Sequence, residues 1–567
     1  MRKLHRILAV LLAVAMIASL AACNKSTDDP NAGQNNTTTA PTKAPDNGGQ
    51  TTTQAPTDTK TPTDEPAQPE PPMALTISLP SDNEHVANGE NDAEMQYYQK
   101  LIDELQEKTN TTLSFEWLAQ ATYYDEEHLG LKISTKDVAD ILVVGKDATF
   151  LAAAEEGLFW DLAPYIDDYP NLATIPEATR QNASYNGKMY GIPRSRTLAR
   201  NGLGYRLDWL NNLNLAEPTD WESFHDMLYA FTYNDPDGNG VDDTVGLGLD
   251  QWTGVWNIMM VWFGVPNEWG LTADDKLIYK VETDEYITAL KAFRDLYAEG
   301  VINNGANGVP DLMDETLTPG KARDNLLRAG LAGCGVQVLD DQRKVETYFE
   351  SDDVGLATAD DPIYTLQGYV DTGKGAFCLP TTGMNNLIAI STKNIKTEDQ
   401  LRKALQFLDD LNNGEILNLI EYGWEGLTYE IDEDGYVSLF DAEKLAETGV
   451  QSSQWNFGFN QMIPYFTAPE NARPVDRNLY TSEITKLEQK LYAEDIQYCV
   501  PNYGASFTSD TYVTDGKTLD TIIADAQQQF ILGQIDESAL LEAIATWKTS
   551  GGDKVTAEMN ALYQQFK

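Results

Sequence analysis

Residues 139–144, ADILVV, form a short, nearly continuous apolar run rich in branched side chains. A strand that reads this way is buried on both faces, as in a parallel sheet covered by helices. Upstream, LTISLP at Leu75–Pro80 alternates and reads as a strand. Met95, Tyr98, Leu101, Ile102 and Leu105 then recur at intervals of three and four, the spacing of one helix face. Thr112–Trp117 is a second strand, and Ala152–Leu162 is expected as a short helix after the third. Strands alternating with amphipathic helices imply an α/β fold with a parallel sheet. Such sheets bind ligands beyond the carboxyl ends of their strands. Further on, Ile287, Leu290, Phe293, Leu296 and Tyr297 mark a helix, and Leu401, Leu405, Leu408 and Leu411 another. The last 30 or so residues read as helical, with Leu540, Ile544, Trp547, Met559, Leu562 and Phe566 on the apolar face.

The chain has 567 residues, too many for a single core, so two lobes or domains are expected. Its 88 acidic and 40 basic side chains give a net charge of −48. That excludes a nucleic-acid binder, which needs clustered Lys and Arg, and electrostatic attachment to anionic lipid. It also argues against an anionic ligand unless cations gather in the cleft. Of four cysteines, Cys334, Cys378 and Cys499 lie in the body and are expected as buried small residues. No zinc spacing, HExxH, G-x-S-x-G or phosphate-cradling loop is present, and the four histidines are unpaired in sequence.

The amino terminus is not part of the fold. Arg2, Lys3 and Arg6 precede an apolar run, Ile7–Leu20, of signal-peptide length and too short to span a bilayer. Leu20-Ala21-Ala22-Cys23 resembles a bacterial lipobox. Residues 1–22 are therefore read as a lipoprotein signal peptide and Cys23 as the lipidated amino terminus, since two acyl chains give stable anchoring. Residues 24–72 are dominated by Thr, Pro, Asn, Gln, Asp and Gly. They have too little apolar surface to offset ordering entropy, so residues 23–73 are expected to act as a disordered tether. Its reach is roughly 40 Å.

Several stretches of the body resemble extracellular solute-binding proteins of ABC importers. They are most similar to family 1, the maltose-binding-like group, in its carbohydrate-binding lipoprotein branch of Gram-positive bacteria. They are AAAEEGLFWDLAPYIDDYPNL (152–172), NGKMYGIP (186–193), YRLDWLNNLNLAEPTDWESFHDML (205–228), FTYNDPDGNGVDDTVGL (231–247), EYGWEGLTYEIDEDG (421–435) and FILGQID (530–536). The resemblance implies two α/β lobes joined by crossing strands, a cleft between them and a helical carboxyl terminus. Lobe 1 is expected at 74–195 plus about 352–392, and lobe 2 at 196–351 plus 393–567.

Asp235, Asp237, Asn239 and Gly240 match positions 1, 3, 5 and 6 of an EF-hand loop, with Val241 at position 7 and Asp243 at position 9. The Glu usual at position 12 is replaced by Gly246. The resemblance implies a structural calcium ion here; the alternative is a plain acidic turn. Asp432, Asp434 and Gly435 are expected to form only a hairpin turn.

Eleven Trp and 27 Tyr suit sugar faces, which stack on aromatic rings. Candidate ligand contacts are Trp252 and Trp256, after the strand ending at Leu249; Trp117 and Gln120, at the end of the second strand; Trp424; and Arg194, which with Arg196 follows GIP at the first crossing. Each has a packing alternative, and Arg194 an interlobe ion pair. The expected function is oligosaccharide capture by hinge closure, without catalysis, and delivery to ABC permease subunits. The protein is expected to be a monomer on the outer face of the membrane. A secreted glycosidase or a carbohydrate sensor or adhesin is the alternative; with so many carboxylates, a catalytic pair cannot be read from spacing.

Overall fold

A computed structural model describes residues 71–81, 92–251, 254–314, 316–318, 321–351, 353–450, 458–464 and 482–567. The signal peptide, Cys23, nearly all of the tether and Trp252 lie outside the described residues.

Two sheets organise the body. In the first, β1 (Met73–Ser81), β2 (Thr111–Ala119), β3 (Ile141–Val144), β4 (Ile192–Ser195) and β11 (Met384–Ile390) lie in the order β2-β1-β3-β11-β4. β1 is parallel to β2 and β3, whereas β11 runs antiparallel to β3 and β4. The apolar run 141–144 is buried along its whole length, as its sequence requires. In the second sheet, β5 (Asn201–Arg206), β6 (Val245–Leu247), β9 (Ala332–Val338) and β10 (Tyr364–Gln367) lie in the order β10-β5-β9-β6. β6 is parallel to β9, and β5 is antiparallel to both β9 and β10. A hairpin, β7 (Trp269–Leu271) with β8 (Leu277–Tyr279), stands beside this sheet.

Each sheet has its own apolar core. Ile77, Leu101, Leu105, Ile141, Val143 and Ile388 anchor the first. Trp209, Phe231, Trp262, Phe293, Phe530 and Trp547 anchor the second, with Leu327, Phe349 and Tyr364 on its far side. The carboxyl-terminal helices Asp510–Ile531, Glu537–Trp547 and Asp553–Phe566 pack on the second core. Helix starts follow local chemistry: Thr397 and Gln400 form a capping box for Glu398–Asp410, and Asp220 with Ser223 does so for Trp221–Tyr233.

The cores divide the chain differently from the sequence expectation. β10 lies within the expected return segment 352–392, yet it pairs with β5 in the second sheet. Residues 395–463, expected in lobe 2, supply Leu401, Leu405, Leu408, Ile420, Phe459 and Ile463 to the first core. The described residues of 73–195 and 384–464 thus build the first core, taken as lobe 1, and those of 201–370 and 482–567 the second, taken as lobe 2. The helix expected at Ala152–Leu162 spans Ala148–Glu155 instead. Gly157, at φ +83°, turns the chain so that Phe159 bridges to Ser391. The 432–435 turn closes the hairpin Tyr429–Ile431 with Val437–Leu439, as expected. The body cysteines are two buried and one half-buried free thiols. Burial pushes all three up, Cys499 to about 12.

Candidate functional site

The topology places one edge of each sheet at the crossings. β4 is parallel to β3, so the carboxyl end of β3 (Val144), that of β4 (Ser195) and the start of β11 (Met384) share an edge. In the second sheet, the carboxyl ends of β6 and β9 share an edge with the start of β5 (Asn201) and the end of β10 (Gln367). The connections 196–200 and 368–383 join these two edges directly. This is where ligands of such sheets are held.

The second edge opens into a cavity of about 570 Å³. Asp250 and Gln251, just beyond β6, stand at its rim. Trp256 on the helix Gly254–Trp262 and Tyr279 at the end of β8 form aromatic walls, and the helix Asp510–Ile531 closes it with Tyr512, Asp520, Ile523 and Gln527. Glu268, Tyr279, Tyr512 and Asp520 also line an adjoining cavity of about 340 Å³, continued by Trp269, Trp547 and Asn502.

Polar side chains in this space are held in place. Lys280 Nζ donates to Glu268 Oε1 at 2.6 Å and to Asn257 Oδ1 at 3.0 Å. Tyr512 Oη donates to Asp520 Oδ2 at 2.8 Å, and Tyr286 Oη to Gln527 Oε1 at 3.1 Å. Burial, followed by the Asp520 bond, pushes the Tyr512 phenol above its ordinary value. Tyr512 is 44% exposed and Trp256 only 8%. Trp256 also packs on Phe293, ring centroids 5.3 Å apart, so it is a core residue with one face on the cavity.

The first edge is cationic. Arg194 is the penultimate residue of β4 and Arg196 begins the crossing; the Asn385 side-chain oxygen accepts from Arg194 Nη1 at 3.1 Å and Arg196 Nη2 at 3.0 Å once its amide is oriented by these donors. Lys146, just beyond β3, donates to the carbonyls of Asn182 (2.9 Å) and Ser184 (2.6 Å) in lobe 1 and Ala505 (3.0 Å) in lobe 2. Burial lowers its pKa to about 8.

Of the sequence-derived ligand contacts, Trp256 lies in the cavity and Arg194 at the opposite edge. Trp117 shares a strand face with Leu113 and Phe115; it stacks on Phe115 (5.1 Å, 25°) and donates to Tyr98 Oη at 3.1 Å, against the helix Asp92–Thr109. Gln120 is exposed at the start of the short helix Gln120–Tyr123. Trp424 donates to Glu104 on the same Asp92–Thr109 helix and lies under Lys100. These three do not join Trp256. Glu268, Tyr279, Lys280, Tyr512, Asp520 and Gln527 were not anticipated. They sit in a hairpin and on the polar side of an amphipathic helix, which read as solvent-facing.

The EF-hand-like loop joins the helix Trp221–Tyr233 to β6, away from this cavity. Gly238 and Gly240 adopt φ of +71° and +79°, and Gly240 N donates to Asp235 Oδ2 at 3.0 Å. Asn239 Nδ2 stands between Asp237 Oδ2 (2.9 Å) and Asp243 Oδ1 (3.2 Å). Asp235 Oδ1 is buried without a hydrogen-bond partner. The loop therefore sets an amide donor between two carboxylates, beside a carboxylate oxygen without a partner. Among the described residues no three acidic, His or Cys side chains converge on one ion position in their present rotamers; the Asn239 amide occupies the middle of the loop. The missing Glu has a steric cause, since a Cβ at Gly246 would lie 2.3 Å from the Leu228 carbonyl oxygen.

Comparison with known proteins agrees with this architecture. Residues 100–320 match the family model described as bacterial extracellular solute-binding protein. Lipoprotein LipO of Bacillus subtilis (strain 168) is 32% identical over 471 residues, covering 82% of this chain and 88% of LipO. The chain belongs to the bacterial extracellular solute-binding proteins. Among relatives of this solute-binding protein, the polygalacturonan/rhamnogalacturonan-binding protein YtcQ of B. subtilis (strain 168) is 27% identical, covering 82% of this chain and 89% of YtcQ. An HMO-binding, ABC-transporter-associated solute-binding protein from Bifidobacterium longum infantis superposes with a TM-score of 0.61 at 14% identity, covering 87% of this chain and 99% of its own. The two-lobed solute-binding fold expected from the sequence is therefore the fold found. No helix among the described residues is long and apolar enough to cross a membrane.

Proposed function

We propose that this solute-binding protein captures an oligosaccharide between its lobes and delivers it, uncleaved, to the permease of an ABC importer. The observation that carries this reading is the cavity of about 570 Å³ at the carboxyl edge of β6. Its Trp256, Tyr279 and Tyr512 rings suit sugar C–H faces, and Gln251, Asn257 and Gln527 amides suit hydroxyls. The names of YtcQ and of the Bifidobacterium protein support a glycan as the ligand class. The three cavity carboxylates are engaged, Glu268 with Lys280, Asp520 with Tyr512 and Asp250 with the Arg323 backbone N–H, which favours binding over proton transfer. Closure would turn on the crossings 196–200 and 368–383.

Two further parts belong to this reading. Cys23 is lipidated, and the tether through residue 73 keeps the body near the membrane; the lipoprotein name of LipO supports this. The loop of Asp235, Asp237, Asn239, Val241 and Asp243 holds a structural calcium ion once Asn239 turns its amide oxygen inward.

A thermal-shift screen of the soluble body against an oligosaccharide panel tests the function. A ligand at 100 times its Kd adds about 2.7 kcal/mol of stability. The bound sugar should be recovered intact, and scattering should show compaction. Steady release of shorter sugars would replace the binding reading with a glycosidase. Replacing Cys23 by Ala should release the protein from the membrane or leave its precursor unprocessed.

A further inference from the structure

We infer that Arg194 and Arg196 form a subsite for a carboxylate carried by the bound oligosaccharide, which makes the ligand a uronate-containing sugar. This rests on the oligosaccharide reading above and adds a chemical class to it.

The chain carries more than two acidic side chains for every basic one. Among the described residues, Arg180, Arg200, Arg206, Arg323, Arg343 and Arg402 are each ion-paired, and Arg294 and Arg328 stand over the rings of Phe530 and Tyr348 instead. Arg194 and Arg196 are different. Their hydrogen-bond partner is one neutral atom, the Asn385 side-chain oxygen, and they share it. Arg194 Nε is buried and makes no hydrogen bond. Asp340 and Asp341, whose charges act on Arg196, are themselves engaged with Arg200 at 2.7 Å and with Lys344 at 2.6 Å. Two guanidiniums on one amide oxygen repel each other, and among the described residues no carboxylate is paired with either. Arg196 is held below its ordinary pKa by burial and then by Arg200 and Arg194.

The backbone builds this arrangement. The register between β4 and β11 slips between Met384 and Leu387, with Asn386 at φ +72°. Such a bulge re-aims side chains at a sheet edge. It sets Asn385 against both arginines, while Asn386 Nδ2 donates to Tyr124 Oη at 2.8 Å. Arg196 N donates to the Gly383 carbonyl at 2.9 Å, which pins the start of the crossing. The pair therefore stands on a fixed part of the edge that faces lobe 2. A carboxylate is the planar anion that guanidinium forks grip with paired hydrogen bonds.

The test uses the soluble body, trigalacturonate and the methyl ester of the same trisaccharide, with affinities from calorimetry. The acid should bind at least tenfold more tightly than the ester, and only acid binding should weaken steeply with added salt. In Arg194→Gln/Arg196→Gln, checked for folding by circular dichroism, the acid-over-ester preference should fall to less than threefold. Arg194→Lys/Arg196→Lys keeps the charge but loses the forks, and should retain only part of the preference. Equal binding of acid and ester by the wild type, or an undiminished preference in the Gln variant, overturns the inference. If neutral oligosaccharides of the panel bind and the acid does not, the carboxylate subsite falls while the oligosaccharide reading stands. If no sugar of either kind binds, both fall.

Discussion

The two sheet edges that meet at the crossings are built from opposite materials. The edge of lobe 2 opens into a deep space walled by Trp256, Tyr279 and Tyr512 and carrying Glu268 and Asp520. The edge of lobe 1 presents Lys146, Arg194 and Arg196, held by backbone carbonyls and one amide. The difference teaches a division of labour. A cavity supplies area and shape, so lobe 2 offers most of the binding surface. Cations on a firm sheet edge supply direction, so lobe 1 acts as the clamp that arrives on closure.

Trp256→Ala should have the largest effect, and on the fold rather than on binding alone. Trp256 is almost fully buried and packs on Phe293, and truncating a core aromatic costs about 3–5 kcal/mol. Chemical denaturation should show that loss. A variant of native stability would mean that the wall of the cavity is not part of the lobe 2 core.

Calcium removal should come next and should act on lobe 2 only. The loop 235–243 connects the helix Trp221–Tyr233 to β6, beyond whose end Asp250 and Gln251 form the cavity rim. With calcium at 100 times its Kd, chelation should remove about 2.7 kcal/mol. Asp235→Ala/Asp237→Ala should abolish this sensitivity. Hydrogen exchange should rise in 231–247 and stay constant in β1 and β3. A wild-type melting curve indifferent to chelator would leave the loop as a plain turn.

Tyr512→Ala should separate binding from folding. Its ring is 44% exposed and lines both cavities, so little core is lost. One sugar-stacking contact is worth roughly 1 kcal/mol, so affinity should fall about fivefold or more. Unchanged affinity would move the sugar out of this cavity.

Much of the fold was legible because its strongest signals are local. The run 139–144 is buried on both faces, and the helix Asp284–Ala298 shows its periodicity plainly. What failed was long-range. Nothing within residues 364–367 says that they pair with β5 rather than with the first sheet, and nothing local in 401–420 names the core it fills. The site followed the same rule. Trp256, expected at the site because it follows a strand end, lines the cavity. Trp117 alternates with Leu113 and Phe115 onto one strand face, which turns it toward the helix Asp92–Thr109 rather than toward Trp256. Tyr512, Asp520 and Gln527 lie along a helix whose polar side resembles any solvated surface, until the hairpin β7–β8 is placed across from it.

The smallest effect concerns Lys146, where the edges touch. Its ammonium bridges the lobes through Ser184 and Ala505, beside contacts from Asn186 N to the Ser506 carbonyl (2.9 Å) and from Ser506 Oγ to the Gln181 carbonyl (2.6 Å). Lys146→Met removes the bridge and keeps the aliphatic stem, so stability at pH 7 should change by about 1 kcal/mol or less. Single-molecule distances between the lobes should broaden in the unliganded variant. The pH dependence has a definite sign. Lys146 has a pKa of about 8 in the fold and 10.5 when unperturbed, so between these values the unfolded chain holds the extra proton. Wild-type stability, measured against Lys146→Met, should therefore rise from pH 8 to about 10.5, as the cost of a buried charge is relieved. By the same linkage, raising the pH should favour the bridged arrangement over one in which the lysine reaches water. A wild-type advantage that instead falls across this window, or interlobe distances identical in both proteins, would show that Lys146 is solvated and that the lobes do not meet through it.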